Sequence, residues 1–180
     1  VRSDALRHSA RLAKTFGGKH VVLDEQRDIA RLVINGWTID LARQEGDGLE
    51  DDLWRRDYSL NALALPLQPL APLCDPTGGL EDLKHGCLRA VREQNLLDDP
   101  LRLLRGLRFL AEIPLVLDAK TGEWIQRHRQ ALVVSAPERI LAELQRLVKG
   151  PHADQALHLL EQWPLLQPWA TTSQTVASYD

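Results

Sequence analysis

NLLDDPLRLLRGLRFLA, residues 95–111, sets the reading of this chain. Asp98-Asp99-Pro100 leads into Arg102, Arg105 and Arg108, placed at steps of three. Asp99 suits an N-cap, and Pro100 suits the first helical position, where its missing N–H is no loss. A helix is therefore predicted to start here. At about 100° per residue, Asp99, Arg102, Arg105 and Arg108 form a slowly winding polar stripe. Leu101, Leu103, Leu104, Leu107 and Leu110 cover most of the opposite side. Arg108 falls beside that apolar sector and needs a partner, because a buried unpaired charge is costly. Two readings are open from this helix alone. The stripe faces an anionic or base-like ligand, with a carboxylate and a guanidinium fork able to read a base edge. Or it is an N-cap, an i,i+3 ion pair and solvated arginines.

Composition bounds the rest. The chain has 180 residues and a formal net charge of −3, so any nucleic-acid surface must be local. The arginine clustering between Arg89 and Arg108 allows one. Cys74 and Cys87 lack CxxC spacing, which fits a reducing cytoplasm and argues against a disulfide framework or zinc site. The histidines are scattered without metal-ligand spacing. No apolar run of about 18 residues and no signal-peptide pattern occurs, so neither membrane insertion nor secretion is indicated.

Upstream, Arg2 to Phe16 reads as an amphipathic helix ended by Gly17-Gly18. Three strand-like runs follow: Val21 to Leu23, Ile29 to Ile34 and Trp37 to Ala42. Asn35-Gly36 is a two-residue hairpin signal between the last two. In the third run Trp37, Ile39 and Leu41 point one way and Asp40 the other. Asp40 is either a solvent-facing aspartate on an antiparallel sheet or a metal or general-base carboxylate. Arg55-Arg56-Asp57 sits between two helical runs, with Asp57 capping the second and Leu60, Leu63 and Ala64 as that helix's apolar face. Asn61 within it is a weak helix former able to hold a partner. Pro66 to Pro72 reads as a loop, and Asp75-Pro76 with Gly78-Gly79 as turns. The glycine pair admits a close backbone approach. A short strand, Leu88 to Val91, follows.

Downstream the chain is helical: Ala119 to Leu132, Ala136 to Val148 and His152 to Trp163, then a Thr/Ser-rich tail from Pro168 to Asp180. The order of strands and helices argues against a doubly wound sheet. The fold class is α+β: a small antiparallel or mixed sheet with helices, followed by an all-helical part. The expected divisions are residues 1–94, 95–167 and a flexible tail, 168–180.

Several stretches together resemble the class II tRNA nucleotidyltransferase and bacterial poly(A) polymerase family. RRDYSLNALA (Arg55 to Ala64), DPTGGLEDL (Asp75 to Leu83), DDPLRLLRGLRF (Asp98 to Phe109) and ERILAEL (Glu138 to Leu144) match its motifs in order. WTIDLARQEG is similar to the segment that carries a carboxylate before RRD, and the ending is similar to cyanobacterial members. The resemblance implies a nucleotidyltransferase head, here partial, followed by a helical neck and the start of a body. It implies template-free addition of C and A from CTP and ATP to the 3′ end of tRNA or another RNA, assisted by magnesium ions; a poly(A) polymerase is the alternative. Asp40 would be a supporting catalytic carboxylate. Arg56 would contact phosphates or ribose, with Asp57 and Asn61 holding that loop. Asp99 and Arg102 would read the base, supported by Arg105 and Arg108. The family's first motif, a G-G turn, R-D and D-x-D, has no counterpart in Val1 to Gly18. Its metal-binding aspartates are expected upstream or on a partner chain. AEIPL after the arginine helix departs from the usual A-x-L-G-[FY]. Alone, the chain is expected to be inactive, either the recognition part of such an enzyme or a non-catalytic binding remnant or half of a split one.

Overall fold

A computed structural model describes residues 1–67 and 71–170 of the chain. The expected tail beyond residue 170 and the centre of the 66–72 loop lie outside the described residues. The chain forms two compact units, Val1–Asp52 and Leu53–Asp180.

The first unit holds α1 (Ala5–Phe16) and an antiparallel sheet of β1 (Lys19–Asp24), β2 (Ile29–Ile34) and β3 (Trp37–Ala42), in that order. Asn35 and Gly36 both take positive φ, 49° and 81°, as a type I′ hairpin turn requires. α1 lies over the central strand, where Ala30 and Leu32 are buried. Its start is held from a distance. Asp4 precedes the helix yet gives it no side-chain cap. Instead the Asp28 carboxylate, in the β1–β2 turn, accepts the Ala5 and Leu6 N–H groups, each at 2.9 Å. Those two bonds hold the Asp28 carboxyl below its ordinary value.

The second unit is built around α5 (Leu101–Glu112). α2 (Leu49–Trp54) leads into it across the division, followed by a single 3-10 turn at Ser59–Asn61, α3 (Gly79–Lys84), β4 (Cys87–Leu88) and α4 (Glu93–Asp98). After α5 come β5 (Val116–Leu117), α6 (Ala119–Arg127), a 3-10 segment at Arg129–Val134, α7 (Pro137–Leu147), α8 (Ala153–Gln162) and α9 (Gln167–Ala170). β4 and β5 pair in parallel. Leu103, Leu104, Leu107 and Leu110 are fully buried, and α7 and α8 pack on α5. The apolar spacing read from 95–111 is thus the core of the molecule's larger unit. No described helix is long and apolar enough to cross a membrane.

Two expectations are corrected. The helix expected after Asp57 is only one 3-10 turn: Tyr58 bridges to Ala90 and Ala64 to Cys74, so the backbone goes into strand-like pairs instead. The glycine pair opens α3, which was not expected. Gly78 has φ 75°, and a Cβ on Gly79 would lie 2.0 Å from the Ser59 carbonyl oxygen, so the close approach is to this chain's own backbone. Tyr58, Leu88 and Ala90 belong to the α5 core.

Candidate functional site

The start of α5 is pinned by the elements around it. Asp99 has extended backbone, and its Oδ1 accepts the Leu101 N–H at 3.3 Å, the expected cap. Tyr58, fully buried, donates its hydroxyl to the Arg102 carbonyl at 2.9 Å, and burial pushes its phenol up. Gly106 admits that ring: a Cβ there would lie 2.2 Å from the Tyr58 hydroxyl oxygen.

The RRD segment is brought against this helix start. Asp57, buried, accepts from the Tyr58 N–H at 2.8 Å and from Asn61 Nδ2 at 3.2 Å. Its other oxygen meets Arg105 Nη2 at 2.8 Å. Asn95 ties the rest together. Its Nδ2 donates to the carbonyls of Trp54 at 2.9 Å and Arg56 at 2.7 Å. Its own carbonyl accepts Arg102 Nη1 at 2.8 Å, and the same nitrogen reaches the Arg55 carbonyl at 3.1 Å. So Arg102 is anchored through one nitrogen and keeps Nη2 and Nε as possible ligand donors.

The result is an open pocket of about 400 Å³ lined by Arg56, Asp57, Asn61, Asp99, Arg102 and Arg105. These residues come from two motifs some forty positions apart in sequence, and the fold gathers them. Arg105 Nε is buried there without a hydrogen-bond partner.

Asp99 has a further partner that sequence reasoning missed. Arg139 of α7 grips both carboxylate oxygens, Nη1 to Oδ1 at 3.3 Å and Nη2 to Oδ2 at 2.8 Å. Burial pushes the Asp99 carboxyl up, but Arg139, Arg102 and the Leu101 N–H outweigh it and leave it below its ordinary value. Asp99 is therefore ionised at neutral pH. A carboxylate has about four lone-pair sites, so a bidentate arginine leaves room for a ligand N–H. Arg139 stands in the ERILAEL stretch, whose match in the sequence carried no role. Asn95 was equally missed; its only signal was a weak helix former inside a helical run.

Arg108 is corrected. It is buried at 3% exposure and does not line the pocket. Its Nε donates to Glu143 of α7 at 2.7 Å and its Nη1 to Glu112, while the guanidinium stacks over Phe109. The helical azimuth that put Arg108 beside the leucines also turned it inward, where Glu143 supplies the partner it needed.

Asp40 belongs to the first unit. It sits opposite Arg31 across the sheet, and the two form paired hydrogen bonds at 2.7 and 2.9 Å on an exposed face. That contact holds the Asp40 carboxyl below its ordinary value. Among the described residues, no three His, Cys, Asp or Glu side chains gather to hold a metal ion. One arginine-paired carboxylate does not fit a divalent-cation site, and no step through a metal is assigned to these residues.

The chain is similar to known proteins in sequence and in fold. Residues 4–89 match the family profile described as Poly A polymerase head domain, and residues 115–170 match one described as a probable RNA and SrmB-binding site of polymerase A. The CC-adding tRNA nucleotidyltransferase of Synechocystis is 39% identical over 169 residues, covering 94% of this chain and 40% of that protein. The CC-adding tRNA nucleotidyltransferase of Thermus thermophilus is 40% identical over 158 residues, covering 85% and 36%. Among solved structures, the Thermotoga maritima CCA-adding enzyme complexed with tRNA superposes with a TM-score of 0.80 at 26% identity, covering 92% of this chain and 41% of that one. A CCA-adding enzyme with CTP also gives 0.80, at 25% identity, covering 92% and 42%. The chain thus spans about 40% of the length of the Synechocystis relative.

Proposed function

We propose that this chain, which belongs to the poly(A) polymerase and tRNA nucleotidyltransferase family, is the nucleotide-selecting part of an enzyme that adds C or A to an RNA 3′ end. The observation that carries this is the shared pocket of Arg56, Asp57, Asn61, Asp99, Arg102 and Arg105. Cytosine and adenine each present an exocyclic amino donor beside a ring-nitrogen acceptor. Ionised Asp99 accepts from the first, and an N–H of Arg102 donates to the second. Uracil and guanine present the reverse order, acceptor then donor, and would leave both side chains unpaired. Arg56 and Arg105 supply positive charge toward the triphosphate or ribose, and Asp57 and Asn61 fix their loop.

In the complete reaction the RNA 3′-oxygen bonds to the α-phosphate of CTP or ATP and pyrophosphate leaves. This chain's residues bind and orient the nucleotide for that step. Asp40 enters as a supporting carboxylate that Arg31 keeps ionised. Magnesium, expected from the family, has no set of ligands among the described residues. The free thiols Cys74 and Cys87 suit the cytoplasm, where this reading places the protein.

Nucleotide binding by the chain tests the reading. CTP and ATP should bind more tightly than UTP and GTP in calorimetry. Asp99→Ala and Arg102→Ala should each lower CTP affinity about 10- to 100-fold, the loss of ~1–3 kcal/mol expected for a charged hydrogen bond. Equal affinity for CTP and UTP in the unsubstituted chain, or unchanged selectivity in both variants, would defeat it.

A further inference from the structure

α1 carries a charge pattern that the nucleotide pocket does not use. Between Arg2 and Lys19 there are five Lys or Arg residues and one acid, Asp4, although the whole chain is at −3. Within Ala5–Phe16 there is no acid at all. At about 100° per residue, Arg7, Arg11 and Lys14 fall within a ~60° arc. All three are exposed, while Ala5, Ser9 and Ala13 are buried on the opposite side.

Six arginines elsewhere in the chain are neutralised by acids. Arg31, Arg105, Arg108, Arg127, Arg139 and Arg146 each meet a carboxylate. Among the described residues Arg7, Arg11 and Lys14 form no ion pair; Arg11 only reaches the His8 ring, Nη2 to Nδ1 at 3.5 Å. Like charges at i,i+3 and i,i+4 repel, and no acid on the helix offsets this. A dense cationic stripe of this kind complements a polyanion.

We propose that the outer face of α1, through Arg7, Arg11 and Lys14, is a contact surface for the sugar–phosphate backbone of RNA. The inference rests on the RNA-directed reading above and adds a surface that meets the strand. Seven residues of helix span ~10 Å, and a nucleic-acid strand carries one charge per ~3.4 Å of duplex axis, so the stripe faces about three phosphates. Such contacts position a strand without reading its sequence. An anionic membrane is the other polyanionic partner for a basic amphipathic helix, but it requires the apolar face to enter the lipid boundary. Here that face is packed on the sheet.

The test uses the full chain and a fluorescently labelled RNA hairpin with a single-stranded 3′ end, titrated over a series of KCl concentrations. Binding should weaken steeply with salt. The triple variant Arg7→Gln/Arg11→Gln/Lys14→Gln should lose tenfold or more in affinity at low salt. Its log–log salt slope should be shallower by about two to three, and each single variant's by roughly one. The matched control Arg27→Gln/Lys84→Gln/Arg146→Gln removes as much charge from residues that have carboxylate partners and should leave the slope in place. An unchanged slope in the triple variant, or an equal loss in the control, overturns the proposal. So does binding to phosphatidylserine vesicles that the triple variant abolishes while RNA binding stays intact. CTP affinity on the same samples separates the two readings. CTP bound normally with RNA unaffected by the triple variant defeats the α1 surface alone; a reduced salt slope without CTP binding defeats the pocket alone.

Discussion

Asp99 shows how one side chain serves two masters. It caps α5 through the Leu101 N–H and is clamped by Arg139 from α7. The clamp leaves its carboxyl below the ordinary value, so the ion pair adds stability above that value and loses it as pH falls through the lower, folded one. Arg139→Ala should therefore destabilise the chain near neutrality by ~0.5–1 kcal/mol, the scale of a partly exposed pair. The difference should shrink as pH falls through the folded value and vanish once the carboxyl is protonated in folded and unfolded chains alike. Urea midpoints of both proteins at neutral and acid pH check this; a gap that persists in acid means Arg139 acts by packing. The family resemblance singled out Asp99, Arg102, Arg105, Arg56, Asp57 and Asn61, and the fold gathers them around one pocket. Arg139 and Asn95 were not singled out, because a guanidinium forty residues away and an amide bridging two carbonyls become partners only through tertiary packing. Arg108 was half legible: its need for a partner followed from azimuth, while the identity of Glu143 did not.

At the scale of elements, the contact between the RRD segment and α5 depends on a missing side chain. Tyr58 stands over Gly106, and a Cβ at that glycine would lie 2.2 Å from its hydroxyl oxygen and 2.8 Å from its Cζ. Gly106→Ala must push the ring away or break the bond from Tyr58 to the Arg102 carbonyl. Its cost should be about 1–3 kcal/mol, the range for overpacking a core, despite alanine's better helix propensity. Tyr58→Phe removes the nearest obstacle, so the double variant should lose less than the sum of the singles. Thermal melts of all three give the comparison, and strict additivity would mean the two residues do not meet. The same region marks where local patterning misleads. Leu60, Leu63 and Ala64 repeat as a helix would, yet the backbone turns once and goes into bridges with Ala90 and Cys74. β2, β3 and their turn came out at their expected bounds, because Asn-Gly with two positive φ values specifies one geometry.

The whole molecule divides where its chemistry divides. Every residue lining the candidate pocket lies in Leu53–Asp180, and so does the large leucine core around α5. The α1 stripe and Asp40 lie in Val1–Asp52. A unit with its own core has what it needs to fold by itself. The piece beginning at Leu49, which keeps α2 whole, should therefore fold cooperatively and bind CTP within a few-fold of the full chain. The reason is local: Asn95, Arg139, Tyr58 and Asp57, which fix the pocket's arginines and Asp99, all travel with the piece. It should at the same time lose the steep salt dependence of RNA binding, because Arg7, Arg11 and Lys14 are gone. Circular dichroism, CTP calorimetry and RNA titration on this one fragment read the three outcomes separately. A folded fragment that no longer binds CTP would place an essential part of nucleotide recognition in the first 48 residues, and Asp40, the one carboxylate there proposed to serve the reaction, would be the first residue to replace.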